Sequence, residues 1–173
     1  MLIEGFGIKL HPLSNQYLDI LRCWRNSDFV QAFMQQKVSI TLEMQIEWFS
    51  TLDKEKNHYF IIEYENILVG CCNIKNIDDL GVGEGGVFLC AEEFLNGMVA
   101  SKAVFLMYDW AFKNNIISSA KSEILLENKR AIRFNKMLGF SIEIKESIVQ
   151  GFLNKESFYN QYHRFYKILN QQE

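Results

Sequence analysis

The chain is poor in the features that mark many protein classes. It has a single proline, Pro12, in 173 residues, and no Gly/Ser- or Pro-rich linker, low-complexity tract or internal repeat. One continuous domain is therefore expected, spanning residues 1–173. Basic residues are not in excess: the formal charge is −3, which argues against a nucleic-acid partner. There is no run of 18 apolar residues and no secretory leader pattern, so a soluble, cytoplasmic protein without membrane contact is expected. Cys-x-x-Cys and paired histidines at helical spacing are both missing, so no metal is expected. The four cysteines are Cys23, Cys71, Cys72 and Cys90. The adjacent pair would point to opposite faces of a strand. All four read as small buried residues of a reducing compartment.

Apolar residues are plentiful, at 49%, and aromatics reach 14%, enough for a full core and for lining a pocket. Charged residues, at 23%, match a globular chain.

"GIKLHPL" predicts a strand ended by Pro12. Ser14 is a candidate cap for a helix through "NQYLDILRCWRNS", and "DFVQAFM" reads as a second helical piece. Thr41 can cap "LEMQIEWFSTL", in which Met44, Trp48 and Leu52 recur every four residues. "YFIIEYE" and "ILVGCCNIKNI" form a hairpin through Glu65-Asn66. "GEGGVFLC" is a strand whose glycines suggest a bulge or a close backbone approach. "NGMVASKAVFLMYDWAFKNN" is the longest predicted helix, and "SSAKSEILLE" a strand. "NKRAIRFNKMLGF" is a helix capped by Asn128 and ended at Gly139. "SIEIKESIVQGFL" and "ESFYNQYHRFYKIL" read as two closing strands. The sum is an α/β fold with a mixed sheet of about seven strands, parallel in the middle and antiparallel at the edges.

Two segments then carry a family pattern. The glycine-bearing strand, loop and long helix, "GGVFLCAEEFLNGMVASKAVFLMYDWAF", and the strand-Asn-helix around "LENKRAIRFNKMLGF" together resemble the Gcn5-related N-acetyltransferases (GNAT). The front half, "ILRCWRNSDFVQAFMQQKVSITLEMQIEWFSTL", resembles the branch that acetylates amino groups on nucleotide-activated deoxy-sugars, as in pseudaminic acid biosynthesis. The likeness runs over residues 6 to 169.

It implies a GNAT fold whose central strands splay into a V, with acetyl-CoA as cosubstrate and no metal. It further implies an acceptor of the UDP-4-amino-4,6-dideoxy-N-acetyl-altrosamine type and a monomer or homodimer. A helix start is in any case a favourable place for a diphosphate, because its first N–H groups are unpaired. The family pattern Gln/Arg-x-x-Gly-x-Gly/Ala falls on Leu95, Asn96, Gly97, Met98, Val99 and Ala100, followed by Ser101. Ala100 fits, Met98 stands where glycine is usual, and Leu95 replaces the basic or amide residue. Phe88, Leu89 and Cys90 would hydrogen-bond the pantetheine arm through their backbone. Asn128 and Phe134 complete the cosubstrate set implied by the family.

The family's tyrosine, placed to protonate the departing thiolate, falls on Asn135, and a carboxamide cannot release a proton at useful pH. Three readings stay open: Asn135 or water suffices, a hydroxyl such as Tyr162 or Tyr166 takes over, or the enzyme is altered. Glu84 shares a strand face with Gly86 and Phe88 and is the candidate base, with Glu127 as runner-up. On the acceptor side Arg25, steadied by Asn26, is the candidate phosphate cation. Trp48, before Trp24 and Phe33, is the candidate base platform. Gln45 stands where histidine is common in the sugar-specific relatives. Two other functions remain: acetylation of protein N-termini of the ribosomal type, and acetyl-CoA binding without catalysis.

Overall fold

The computed structural model describes residues 1–32, 39–95 and 97–170. Ile3–Gly5 (β1) turns at Phe6 and Gly7, whose φ angles of 56° and 73° suit a tight hairpin, into Ile8–Pro12 (β2). The sequence pattern missed β1 because three residues carry too little alternation.

A 3₁₀ turn at Asn15–Tyr17 leads into Leu18–Asn26 (α1). Ser14 makes no capping bond there, so the expected cap is absent. Ser27 instead caps the single turn Asp28–Gln31 (α2), accepting from Val30 N at 3.3 Å. Thr41 caps Leu42–Thr51 (α3) as expected, accepting from Met44 N at 3.2 Å. The inward face of α3 differs from the expected one, since Gln45 is fully buried and Met44 is exposed.

His58–Tyr64 (β3) and Ile67–Lys75 (β4) form the expected hairpin through Glu65 and Asn66, at φ 50° and 62°. Val82–Leu89 (β5) follows, and then the helix Val99–Lys113 (α4). Ser119–Leu125 (β6) precedes Lys129–Leu138 (α5). Asn128 Oδ1 accepts from Ala131 N at 3.0 Å, and Gly139 ends α5 at φ 104°. Both helix ends match the sequence reading.

The C-terminal segment requires a correction. "SIEIKESIVQGFL" is not one strand but a hairpin, Ser141–Lys145 (β7) and Ile148–Asn154 (β8). "ESFYNQYHRFYKIL" is a helix, Lys155–Leu169 (α6), as long as α4 and capped by Asn154. Its aromatics at 158, 159, 162, 165 and 166 follow helical spacing and pack as a face against α4. Phe105, for example, meets Phe158, Tyr162 and Phe165.

The eight strands lie in the order β1-β2-β3-β4-β5-β6-β8-β7. All neighbours are antiparallel except β5 and β6, where α4 makes the crossover. One sheet face is covered by α4, α5 and α6 over a large core that includes Phe105, Tyr108, Phe112 and Phe158. The other is covered by α1 and α3 around Leu21, Ile61 and Cys71, with Trp24, Trp48 and Phe88 packed alongside.

The decisive departure from a regular sheet lies at its middle. β5 and β6 pair at three positions only, Val82↔Ser119, Gly83↔Ala120 and Glu84↔Lys121. Beyond Glu84, β5 stays with β4 and β6 stays with β8, so the two strands diverge as a V.

Gly139 anchors the end of α5. It is left-handed, and a Cβ there would come within 2.6 Å of the Ser157 carbonyl on α6. Gly139→Ala is expected to cost about 1 kcal/mol or more, and the melting temperature should fall by roughly 2–4 °C for each kcal/mol. Thermal denaturation followed by circular dichroism checks this.

Candidate functional site

The V opens into a cleft of about 1210 Å³. Its walls come from β4 and β5 on one side and β6, β8 and β7 on the other, with α4 and α5 beneath and α1 above. Antiparallel residues alternate in the direction of their backbone groups. Cys90 N donates to Val69 O at 2.8 Å. By alternation Phe88 and Gly86 also turn their backbone toward β4, whereas Gly85, Val87 and Leu89 turn theirs toward the gap. This corrects the expected trio: of Phe88, Leu89 and Cys90, only Leu89 offers backbone groups to a molecule lying in the V. The Phe88 side chain does line the cleft.

Glu84 sits at the vertex, on the last paired rung. Asn76 Nδ2 donates to one carboxylate oxygen at 3.0 Å, and Lys121 Nζ lies 3.5 Å from the other. The carboxylate is half-exposed to the cleft and can accept a proton from a group bound above Gly86. Glu127 is exposed in the turn after β6 and does not line the cleft, which removes it as runner-up.

Asn135 lines the cleft from α5, beside Phe134. Its Nδ2 donates to Ala131 O, one turn back in its own helix, at 3.0 Å. One of its two amide N–H groups is therefore engaged, and the other remains as a donor beside the amide oxygen. Tyr162 and Tyr166 lie on α6 against Phe6 and do not line the cleft.

Leu95, Gly97, Met98, Val99, Ala100 and Ser101 lie in the loop before α4 and in its first turn and are not part of the cleft lining; Asn96 lies outside the described residues. Met98 precedes the helix without a side-chain cap, and no acidic residue occupies the first turn. Among the described residues no side chain caps the first N–H groups of α4, an arrangement that suits an anion. Arg130, on α5, donates to Leu95 O at 2.6 Å. It brings to this loop the cation that its sequence lacks, a placement invisible in a pattern confined to residues 95–101. Asn128 is engaged as the α5 cap and stands outside the cleft lining.

On the opposite wall, Arg25 lines the cleft. Its guanidinium lies 5.8 Å from the Trp48 ring centroid, and Nη1 donates to Gln45 Oε1 at 3.3 Å. Gln45 steadies Arg25, the role expected of Asn26. Asn26 instead pins the chain before α3, donating to Ile40 O at 2.7 Å and accepting from Ile40 N at 2.9 Å. Trp48 packs edge-on against Tyr59 at 5.1 Å and backs Arg25 without lining the cleft; Trp24 likewise belongs to that packing. Phe33 lies outside the described residues.

Sequence reasoning did not select Asn73, Lys75, Glu123, Glu143, Gln150 or Phe152, all of which line the cleft. Only strand register gathers them: Lys75 is opposite Glu84, Asn73 opposite Gly86, and Gln150 opposite both Glu123 and Glu143. The cleft thus holds cations and carboxylates together. Among the described residues, no group of three or more His, Cys, Asp and Glu could hold a metal ion. No helix among them is long and apolar enough to cross a membrane.

The model of the acetyltransferase (GNAT) domain family matches residues 8–141. No curated protein matches the chain. Among solved structures, apo FdhC, a nucleotide-linked sugar GNAT, is similar with a TM-score of 0.82 at 14% identity, covering 98% of each chain. Spermidine N-acetyltransferase from Vibrio cholerae, solved with CoA and spermine, gives 0.79 at 14% identity, covering 90% of this chain and 100% of that one. Aminoglycoside acetyltransferase AAC(6')-Ib in complex with coenzyme A gives 0.75 at 17% identity, covering 88% and 98%. At these identities the likeness is one of fold.

The cysteines differ sharply in environment. Burial pushes the Cys71 thiol up to about 12 and raises Cys72 and Cys90 as well, whereas Cys23 is exposed. Only the thiolate reacts. Alkylation of the folded protein near neutral pH should label Cys23 first, and Cys71 and Cys72 only after denaturation. Peptide mass spectrometry reads this, and a Cys71 labelled as fast as Cys23 in the folded state would contradict the packing.

Proposed function

Because the chain belongs to the GNAT acetyltransferase domain family, we propose that it transfers acetyl from acetyl-CoA to the amino group of a nucleotide-linked amino-deoxy-sugar. The acceptor would be of the UDP-4-amino-4,6-dideoxy-N-acetyl-altrosamine type, attacking directly in a ternary complex. The observation that carries the reading is the short β5–β6 pairing, which leaves a strand edge beside Glu84 and opposite Arg25.

The donor half rests on fit. An extended pantetheine arm carries amides that can pair with the outward backbone of Gly85, Val87 and Leu89. The uncapped start of α4 and the Arg130 guanidinium suit a diphosphate. Ala100 and Gly97 keep the approach to that helix start narrow in side chain. Glu84 takes the proton from the attacking amine, directly or through water.

The acceptor half rests on Arg25. Its guanidinium faces the cleft from a stack on Trp48, and a nucleotide diphosphate is a natural partner for that planar cation. A second reading has one specific observation in its favour. Glu84, Glu123 and Glu143 line the same cleft, which suits a cationic acceptor such as a peptide N-terminus or a polyamine.

Two measurements test these assignments. Arg130→Ala should weaken coenzyme A binding roughly tenfold in calorimetry, in line with a charge-assisted contact at an exposed site; unchanged affinity would remove the guanidinium from the diphosphate site. For the acceptor, amino-deoxy nucleotide-sugars, peptides and polyamines are compared with acetyl-CoA as donor, read as free thiol. Turnover is expected with a nucleotide-sugar. Arg25→Ala should then raise its KM, since loss of a charge-assisted contact costs ~1.5–3 kcal/mol, a roughly ten- to hundredfold fall in kcat/KM. Turnover confined to peptides or polyamines, untouched by Arg25→Ala, would establish the second reading.

A further inference from the structure

Trp48 backs Arg25 without lining the cleft, so the flat base of a nucleotide-linked acceptor needs another surface. Strand register supplies one. Residues paired across a sheet share a face, and Lys121 is paired with both Glu84 on β5 and Phe152 on β8. The three form one row, whose face is marked by the 3.5 Å contact between Lys121 and Glu84. Along this row Phe152 lies two strands from Glu84, roughly 10 Å away. On the next row Gln150 of β8 stands between Glu123 of β6 and Glu143 of β7. The α1 and α3 cluster packs on β3, β4 and β5. Across the gap Phe152 is 48% exposed, although it lines the cleft. Among the described residues no ring packs on Phe152 and no hydrogen bond engages the Gln150 amide. A flat heterocycle would cover the ring, and its polar edge would meet an amide that both donates and accepts.

We propose that Phe152 is the platform on which the base of the nucleotide-linked acceptor stacks, with Gln150 at the edge of the base and Glu123 and Glu143 at the ribose hydroxyls. The inference rests on the nucleotide-sugar reading given above and adds where the nucleoside lies. The amine of such an acceptor has to reach Glu84, and a sugar ring, two phosphates and a ribose separate that amine from the base. The base therefore lies well away from Glu84, as Phe152 does. Lys121 is half-exposed between Glu84 and Phe152, and Arg25 stands on the opposite wall; both are cations available to the phosphates in between. Stacking on a ring face supplies affinity for any base. The carboxamide suits the imide edge of uracil, donating to a ring carbonyl and accepting from the ring N–H. Carboxylates accept hydrogen bonds from ribose hydroxyls in dinucleotide-binding folds. Glu123 and Glu143 thereby gain a use that requires no cationic acceptor.

The test compares uridine diphosphate with inorganic diphosphate as ligands of the whole protein, by calorimetry in the presence of coenzyme A. The natural protein is expected to bind uridine diphosphate roughly tenfold more tightly or better, since stacking adds to the phosphate contacts. Phe152→Leu keeps an apolar side chain and removes the ring. It should weaken uridine diphosphate by about tenfold and leave inorganic diphosphate unchanged. Phe152→Tyr keeps the ring and should bind as the natural protein does. Gln150→Ala should weaken uridine diphosphate by roughly fivefold, the worth of one neutral hydrogen bond. If Phe152→Leu leaves the preference for uridine diphosphate intact while Arg25→Ala weakens both ligands, the nucleotide reading stands and the platform is overturned. If neither ligand binds the natural protein and turnover is confined to peptides or polyamines, the nucleotide reading falls and this inference falls with it. Sedimentation of the same variants tests a second copy of the chain as the occupant of this face. A change of oligomeric state in Phe152→Leu, with uridine diphosphate binding intact, would make the face a contact between copies and overturn the platform.

Discussion

The site depends on one interruption: β5 and β6 hold each other for three rungs and then part. Each strand has a stronger claim on it elsewhere. β5 continues against β4 as far as Gly70↔Leu89, and β6 runs its whole length against β8. Phe88 ties the far end of β5 into the cluster under α1 and α3. The backbone groups of Gly85, Val87 and Leu89 are left facing a gap, and such groups need a partner from water or from a bound molecule. An opening between two well-anchored halves of a sheet can be wide without the fold giving way.

The interruption also sets which side chains meet. At its vertex are Glu84, Gly85 and Ser122. Glu84 faces the α1 and α3 side, where Arg25, Lys75, Glu123 and Glu143 also line the cleft. Ser122 faces the α4 and α5 side, where Tyr108, Phe134, Asn135 and Leu138 line the cleft. The V thus sets charged side chains on one side of the sheet against a mostly apolar wall on the other.

Arg25 shows how the front half contributes. It projects from α1, yet its position is decided by α3, through the Trp48 face and the Gln45 amide. Gln45 is fully buried, and among the described residues its Nε2 has no hydrogen-bond partner. A change in α3 that never touches the cleft would still move the cation that does.

The sequence alone determined what depends on short-range rules. Asn128 and Gly139 bracket α5, Thr41 opens α3, and Glu65-Asn66 turns β3 into β4, because caps and tight turns are made by residues within a few positions of one another. Family resemblance added the V, the α4 loop and the Asn135 substitution. Tertiary structure alone decided the rest. It turned residues 155–169 into a helix whose aromatics serve α4, taking Tyr162 and Tyr166 away from the cleft. It moved the steadying of Arg25 from Asn26, its neighbour in sequence, to Gln45, twenty residues on. It brought Arg130 to Leu95 and Tyr108 to Gly85. These pairs are fixed by strand register and helix packing, in which the partner is chosen by position in space, and no spacing along the chain records that choice.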